Sequence, residues 1–119
     1  MLTIEDKILV VVAALEDIKA NDISVLDTSK KSQLFERIVI ASANSARQTR
    51  SLADHVSKQL KLRGEPALSV EGVEGGEWVL VDLGEVVVHI MQPAVRTHYQ
   101  LEELWSMRHL PSKMASGPA

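Results

Sequence analysis

Two apolar stretches in the second half of the chain limit its fold more than any other feature. Trp78-Val79-Leu80-Val81-Asp82 and Glu85-Val86-Val87-Val88-His89-Ile90-Met91 are rich in β-branched residues, and both read as strands. Leu83-Gly84 between them reads as a tight hairpin with glycine at a positive-φ position. Neither stretch alternates polar with apolar residues, so both are expected as central strands of a sheet covered on its faces. Such a sheet needs helices to cover it, and the rest of the chain supplies them.

Thr3 and Asp6 have the spacing of a helix start, after which Ile4, Ile8, Val11, Val12, Leu15 and Ile18 fall on one helical face. Leu9, Val10, Ala13 and Ala14 widen that face, which leaves two readings: a helix buried around much of its girth, or one that offers a second apolar strip to a partner. Asn21-Asp22 stops the helix, residues 23–27 form a short strand, and residues 28–32 form a polar loop. Residues 37–42 are a second strand whose continuous apolar centre indicates burial on both faces. Ser45 and Gln48 then have the spacing of a reciprocal capping box, and Leu52, Ala53, Val56 and Leu60 give the helix that follows its inward stripe. Gly64 and Pro66 end that helix.

Residues 68–71 alternate apolar with polar, residues 72–77 are a glycine-rich acidic loop, and Gln92-Pro93 opens a last helix on which Ala94, Leu101, Leu104 and Trp105 share a side. From Pro111 the chain has no periodicity, so residues 1–110 are expected as one domain and residues 111–119 as a disordered tail. The order α-β-β-α-β-β-β-α predicts an α/β (mixed α+β) single domain with a mixed sheet of about five strands covered by helices.

Composition removes several functional classes. The 119 residues include no cysteine, which excludes disulfide scaffolds, zinc ribbons and thiol nucleophiles and suits a reducing compartment. The net charge of -3 argues against a general nucleic-acid binder, and no aromatics lie beside basic strands, so RNA contact is at most peripheral. The longest apolar run, residues 8–15, is far short of the roughly 20 residues a bilayer core requires. Glu5 and Asp6 stand where a targeting peptide would carry basic residues, and the chain is read as cytoplasmic.

The charge is unevenly spread. Residues 1–64 hold 10 basic and 8 acidic groups, and residues 65–119 hold 3 basic and 8 acidic, so the halves carry +2 and −5. Several acids surround the loop and hairpin that carry Trp78, where they read either as a field that steers a basic partner or as solvated strand ends. Catalytic patterns are missing: there is no G-x-S-x-G, no pair of carboxylates on one strand face, and no histidine pair among His55, His89, His98 and His109 at metal-ligand spacing. Glu71, Glu74 and Glu77 are spaced by three in the glycine-rich segment, where a flexible solvated loop is the plainer reading than a metal site. No cofactor, metal or catalytic residue is therefore assigned. Only four aromatics occur, and Trp78, at a strand start beside a mobile glycine loop, fits a core position and an interface hot spot equally well.

The same residues carry a family resemblance. Asp22-Ile23-Ser24-Val25-Leu26-Asp27, Ser51-Leu52-Ala53-Asp54-His55-Val56, Val70-Glu71-Gly72, the W-V-x-x-D-L-G-x-V-V-x-H-x-M run from Trp78 to Met91, and Leu101-Glu102-Glu103-Leu104-Trp105 together resemble the ribosomal silencing factor (Iojap-like) family over about residues 4–106. The resemblance implies a nucleotidyltransferase-like fold without transferase activity. It also implies binding to the large ribosomal subunit through the fourteenth protein of that subunit, blocked joining of the small subunit, and repressed translation when nutrients are scarce. The resemblance also implies that free members are able to form homodimers. The matching positions put the partner contact at Trp78, Leu83 and Met91, with Asp82, Gly84 and His89 as neighbours.

Relatives commonly have a T-G-x-S turn where this chain has Ser42-Ala43-Asn44-Ser45. Asn44 can supply a left-handed turn, but Ala43 adds a side chain where approach to a phosphate wants glycine. Glu36 stands where Asp is usual. Both departures count against the alternative function, a nucleotide-binding or nucleotidyltransferase-like enzyme that would use Arg47 and Arg50 at the helix N-terminus behind Ser45.

Overall fold

The computed structural model describes residues 2–30 and 36–99; the predicted helix positions Leu101, Leu104 and Trp105, part of the 28–32 loop and the predicted tail lie outside them. Helix α1 (Ile4–Asp17) opens with a complete capping box: Thr3 Oγ1 accepts from the Asp6 N–H, and the Asp6 carboxylate accepts from the Thr3 N–H. It ends earlier than Asn21-Asp22. Lys19 takes a φ of 62°, the Lys19 N–H donates to Glu16 O, and the Ala20 N–H donates to Leu15 O, which closes the last turn in a Schellman arrangement.

Asn21 and Asp22 instead begin strand β1 (Asn21–Asp27), where the register moves from Asn21↔Ser42 to Ser24↔Ile40 across a bulge and Asp22 has a φ of 48°. Strand β2 (Arg37–Ser42) follows, then helix α2 (Ala46–Leu62), strands β3 (Ser69–Glu71), β4 (Trp78–Asp82) and β5 (Val86–Met91), and helix α3 (Pro93–Tyr99).

The five strands form one mixed sheet in the order β1-β2-β5-β4-β3. β2 and β5 run parallel, with α2 inside the connection between them, and every other pair is antiparallel. Alternate residues of the sheet point into the core: Val39, Ala41, Val79, Val81, Val86, Val88 and Ile90 pack with Val11, Ala14 and Leu15 of α1 and with Leu52, Ala53, Val56 and Leu60 of α2. Both long helices thus cover one face. The wide apolar face of α1 is only partly used, because Leu9 remains 68% exposed and Ala13 is exposed. The other side of the sheet carries Ile38, Ile40, Val87, His89 and Met91, all buried, together with Trp78, Leu80 and Asp82. At one end of it α3 is anchored by Arg96, whose guanidinium donates to Ser42 Oγ, Ser24 Oγ and Asp22 O.

The start of α2 differs from a reciprocal box. Ser45 Oγ accepts from the Gln48 N–H, but the Gln48 carboxamide accepts from the Asn44 N–H at 2.8 Å and donates to Ile18 O and Lys19 O. Gln48 therefore ties α2 to the end of α1. Among the described non-glycine residues only Lys19 and Asp22 have positive φ, so Asn44 does not make a left-handed turn. Ala43 is fully buried in the core and its N–H donates to Met91 O, which explains why a side chain fits there. Gly64 does end α2, with a φ of 79° and the Glu65 N–H bonded back to Leu60 O.

Candidate partner-binding surface

β5 is buried at every position, as a central strand should be, but β4 is not. Val79 and Val81 are fully buried, whereas Trp78, Leu80 and Asp82 are half-buried. The alternation in burial is absent from the hydropathy because the half-open face carries Trp and Leu. Large apolar groups on a strand face that solvent can reach are the composition of an interface centre rather than of ordinary surface. Register places Glu71 of β3 beside Leu80, and Glu77 precedes Trp78, so carboxylates border this apolar row.

Among the described residues, three neighbours hold Trp78. Directly across the β4–β5 pair lies Met91, which is fully buried. The Trp78 indole Nε1–H donates to His89 Nδ1 at 2.9 Å, with the ring centroids 5.8 Å apart and tilted by 49°. Burial pushes the His89 pKa down to about 4, so the ring is neutral near pH 7, accepts at Nδ1 and carries its hydrogen on Nε2. Behind the backbone, Gly72 has a φ of 83°, and a Cβ there would come within 2.1 Å of Trp78 O. Only glycine lets the preceding loop approach the strand so closely.

That loop, expected to be flexible and solvated, is pinned. Arg50 donates from Nε to Val73 O and from Nη2 to Glu74 O, both at 2.7 Å. The Gly76 N–H donates to Gly72 O, and Gly76 O accepts from Gln92 Nε2 at 3.1 Å. Thr49 Oγ1, completely buried, lies 2.7 Å from the same carbonyl and 2.8 Å from Ala46 O. Composition concealed this because the acceptors are main-chain carbonyls and the donors lie on α2 and just after β5. On the same helix Asp54 pairs with Lys58 at 3.0 Å.

The six residues singled out from sequence fall into two groups. Trp78, His89 and Met91 converge on one face of the sheet, with Asp82 on the same face at the far end of β4. Leu83 is buried on the opposite, helix-covered side, and Gly84 occupies the hairpin with a φ of 94°. Asp82 Oδ1 accepts from the Gly84 N–H at 2.9 Å, and the Leu83 N–H donates to Val86 O, so these three residues shape the turn. Leu80, two residues along the strand from Trp78 and not among the six, shares its half-open face.

The acidic half is more neutralised than its count implies. Lys7 Nζ, nearly buried, reaches Glu85 at 2.8 Å and Glu65 at 3.4 Å. Burial alone would lower the Lys7 pKa, but the hydrogen bonds and charges of Glu85 and Glu65 outweigh it and raise it, while Lys7 lowers that of Glu85. Glu71, Glu74 and Glu77 remain exposed near the Trp78 end. Among the described residues no group of three or more His, Asp or Glu is placed to hold a metal, and no helix is long and apolar enough to cross a membrane.

The family described as ribosomal silencing factor during starvation (RsfS) matches residues 2–117. The chain belongs to this family. A Chromobacterium violaceum protein named ribosomal silencing factor RsfS is 53% identical over 94 residues, which cover 79% of this chain and 77% of that protein. The crystal structure of a Chromobacterium violaceum protein superposes with a TM-score of 0.87 at 48% identity, over 90% of this chain and 89% of that one. A mouse protein named mitochondrial assembly of ribosomal large subunit protein 1 is 32% identical over 107 residues, 87% of this chain but 47% of the mouse protein. For this RsfS-family chain the nucleotide alternative loses support at one residue: the Arg50 guanidinium, one of the two expected to hold a phosphate, is engaged with loop carbonyls.

Proposed function

We propose that this chain silences translation by docking its Trp78 face on the large ribosomal subunit, against the fourteenth protein of that subunit, and so occupying space the small subunit needs for joining under nutrient limitation. The observation that carries this reading is the half-open apolar row Trp78–Leu80 on a sheet whose neighbouring strand is wholly buried, in a member of the silencing family. Trp78 and Leu80 supply the contact, while Met91 and His89 support it from the next strand. Asp82, Leu83 and Gly84 set the hairpin that frames the far end. Glu71, Glu74 and Glu77 border the row and raise the encounter rate with a basic partner. The action is occlusion, with no catalytic step and no cofactor. The same reading includes a cytoplasmic location, RNA contact that is at most peripheral, and a homodimer of the free chain that the family resemblance alone supports.

Capture of ribosomal particles from lysate on the immobilised chain, compared with Trp78→Ala, tests the docking. Large subunits are expected on the native chain, and removal of the indole is expected to weaken binding by about 2 kcal/mol or more. Equal capture by a folded Trp78→Ala would remove Trp78 from the interface.

A further inference from the structure

We infer that His89 is a positioning residue for the docking face: by accepting the indole Nε1–H it holds Trp78 in the orientation the large-subunit partner meets. This rests on the docking reading above. His89 sits between Leu80 on β4 and Ile40 on β2, with Val87 and Met91 before and after it on the same face of β5. None of these four side chains offers a nitrogen or oxygen acceptor. Burying an imidazole in such surroundings costs desolvation that a leucine or isoleucine would not incur. Packing therefore does not explain a histidine at this place, and the 2.9 Å bond to Trp78 does.

The hydrogen bond also fixes the chemistry of the ring. Nδ1 must stay unprotonated to accept, which selects the tautomer with hydrogen on Nε2 and couples the indole to the Nδ1 edge of the ring. A half-exposed tryptophan left untethered loses rotamer freedom when a partner immobilises it, whereas a tethered one has lost it already.

Three substitutions separate this role from packing. The carboxamide oxygen of His89→Asn lies near the place of Nδ1 and can still accept; His89→Leu fills the space and cannot; Trp78→Phe keeps a ring without the donor. The chain has two tryptophans, so its proton NMR spectrum has two indole N–H signals, and the one lost in Trp78→Phe is that of the Trp78 donor. In the native chain and in His89→Asn the Trp78 indole hydrogen is expected to exchange slowly with solvent, and affinity for purified large subunits to be alike. In His89→Leu the hydrogen is expected to exchange rapidly and affinity to fall by roughly 2- to 10-fold. Adding His89→Leu to Trp78→Phe should then cost nothing further.

A protected indole and native affinity in His89→Leu would overturn the inference, as would a loss in His89→Asn equal to that in His89→Leu. If His89→Leu does not fold, the exchange rate and affinity of His89→Asn and Trp78→Phe still decide: native affinity in Trp78→Phe contradicts it. Native binding by Trp78→Ala would sink the docking reading itself. Lost binding in Trp78→Ala beside native binding in His89→Leu would sink only the positioning role.

Discussion

Burial holds the His89 pKa at about 4 against an ordinary value of 6.5. Over that interval the unfolded chain binds more protons than the folded one, so stability rises with pH from about 4 to 6.5 and is flat above. At about pH 5 this one group costs the fold about 2 kcal/mol relative to neutral pH. Protonation would in addition place a hydrogen on Nδ1, facing the Trp78 N–H. Denaturant unfolding of the native chain and of His89→Asn, each at about pH 7.5 and about pH 5, checks the assignment: the native chain should lose about 2 kcal/mol more than the variant. Equal losses would assign the acid sensitivity to other groups. At this scale sequence reading reached Trp78 through the scarcity of aromatics and the family motif. It could not reach the Trp78–His89 bond, which depends on a cross-strand register that no local pattern encodes.

Elements built from local rules were legible, and those that depend on distant donors were not. The capping box at Thr3, the stop at Gly64 and the hairpin at Gly84 each follow from a few adjacent residues, and each is where it was expected. The 72–77 loop looked mobile because its own composition is glycine and glutamate, while its order comes from Arg50, Thr49 and Gln92. Arg50→Ala should therefore cost about 1 to 2 kcal/mol locally and speed amide exchange in residues 73–76, with little change in the β5 amides. Unchanged exchange in the loop would show that the arginine bonds do not hold it. The end of α1 was misplaced for a related reason: Lys19 takes the left-handed position that glycine or asparagine usually marks. Lys19→Gly should stabilise the chain by about 0.5 kcal/mol, the relief of left-handed strain less the entropy of glycine, measured as a higher denaturant midpoint. A lower midpoint would mean that the Lys19 side chain contributes more than its backbone strain costs.

For the whole molecule, the split into +2 and −5 halves is a less direct map of the interface than the count suggests. Among the described residues, Glu65 and Glu85 answer Lys7 and Asp82 is tied to the Gly84 N–H, leaving Glu71, Glu74 and Glu77 as exposed carboxylates beside the Trp78–Leu80 row. What distinguishes the molecule is a sheet with two long helices on one side and, on the other, an apolar face that opens at Trp78 and Leu80. In the function proposed above, a body of this kind would stop subunit joining by being in the way once that face is docked, with no chemical step required. Sedimentation of separated small and large ribosomal subunits with increasing amounts of the chain measures this directly. Joined ribosomes should fall as the chain saturates the large subunits, and Trp78→Ala should need far more protein for the same effect; undiminished joining with the native chain bound at saturation would contradict the account.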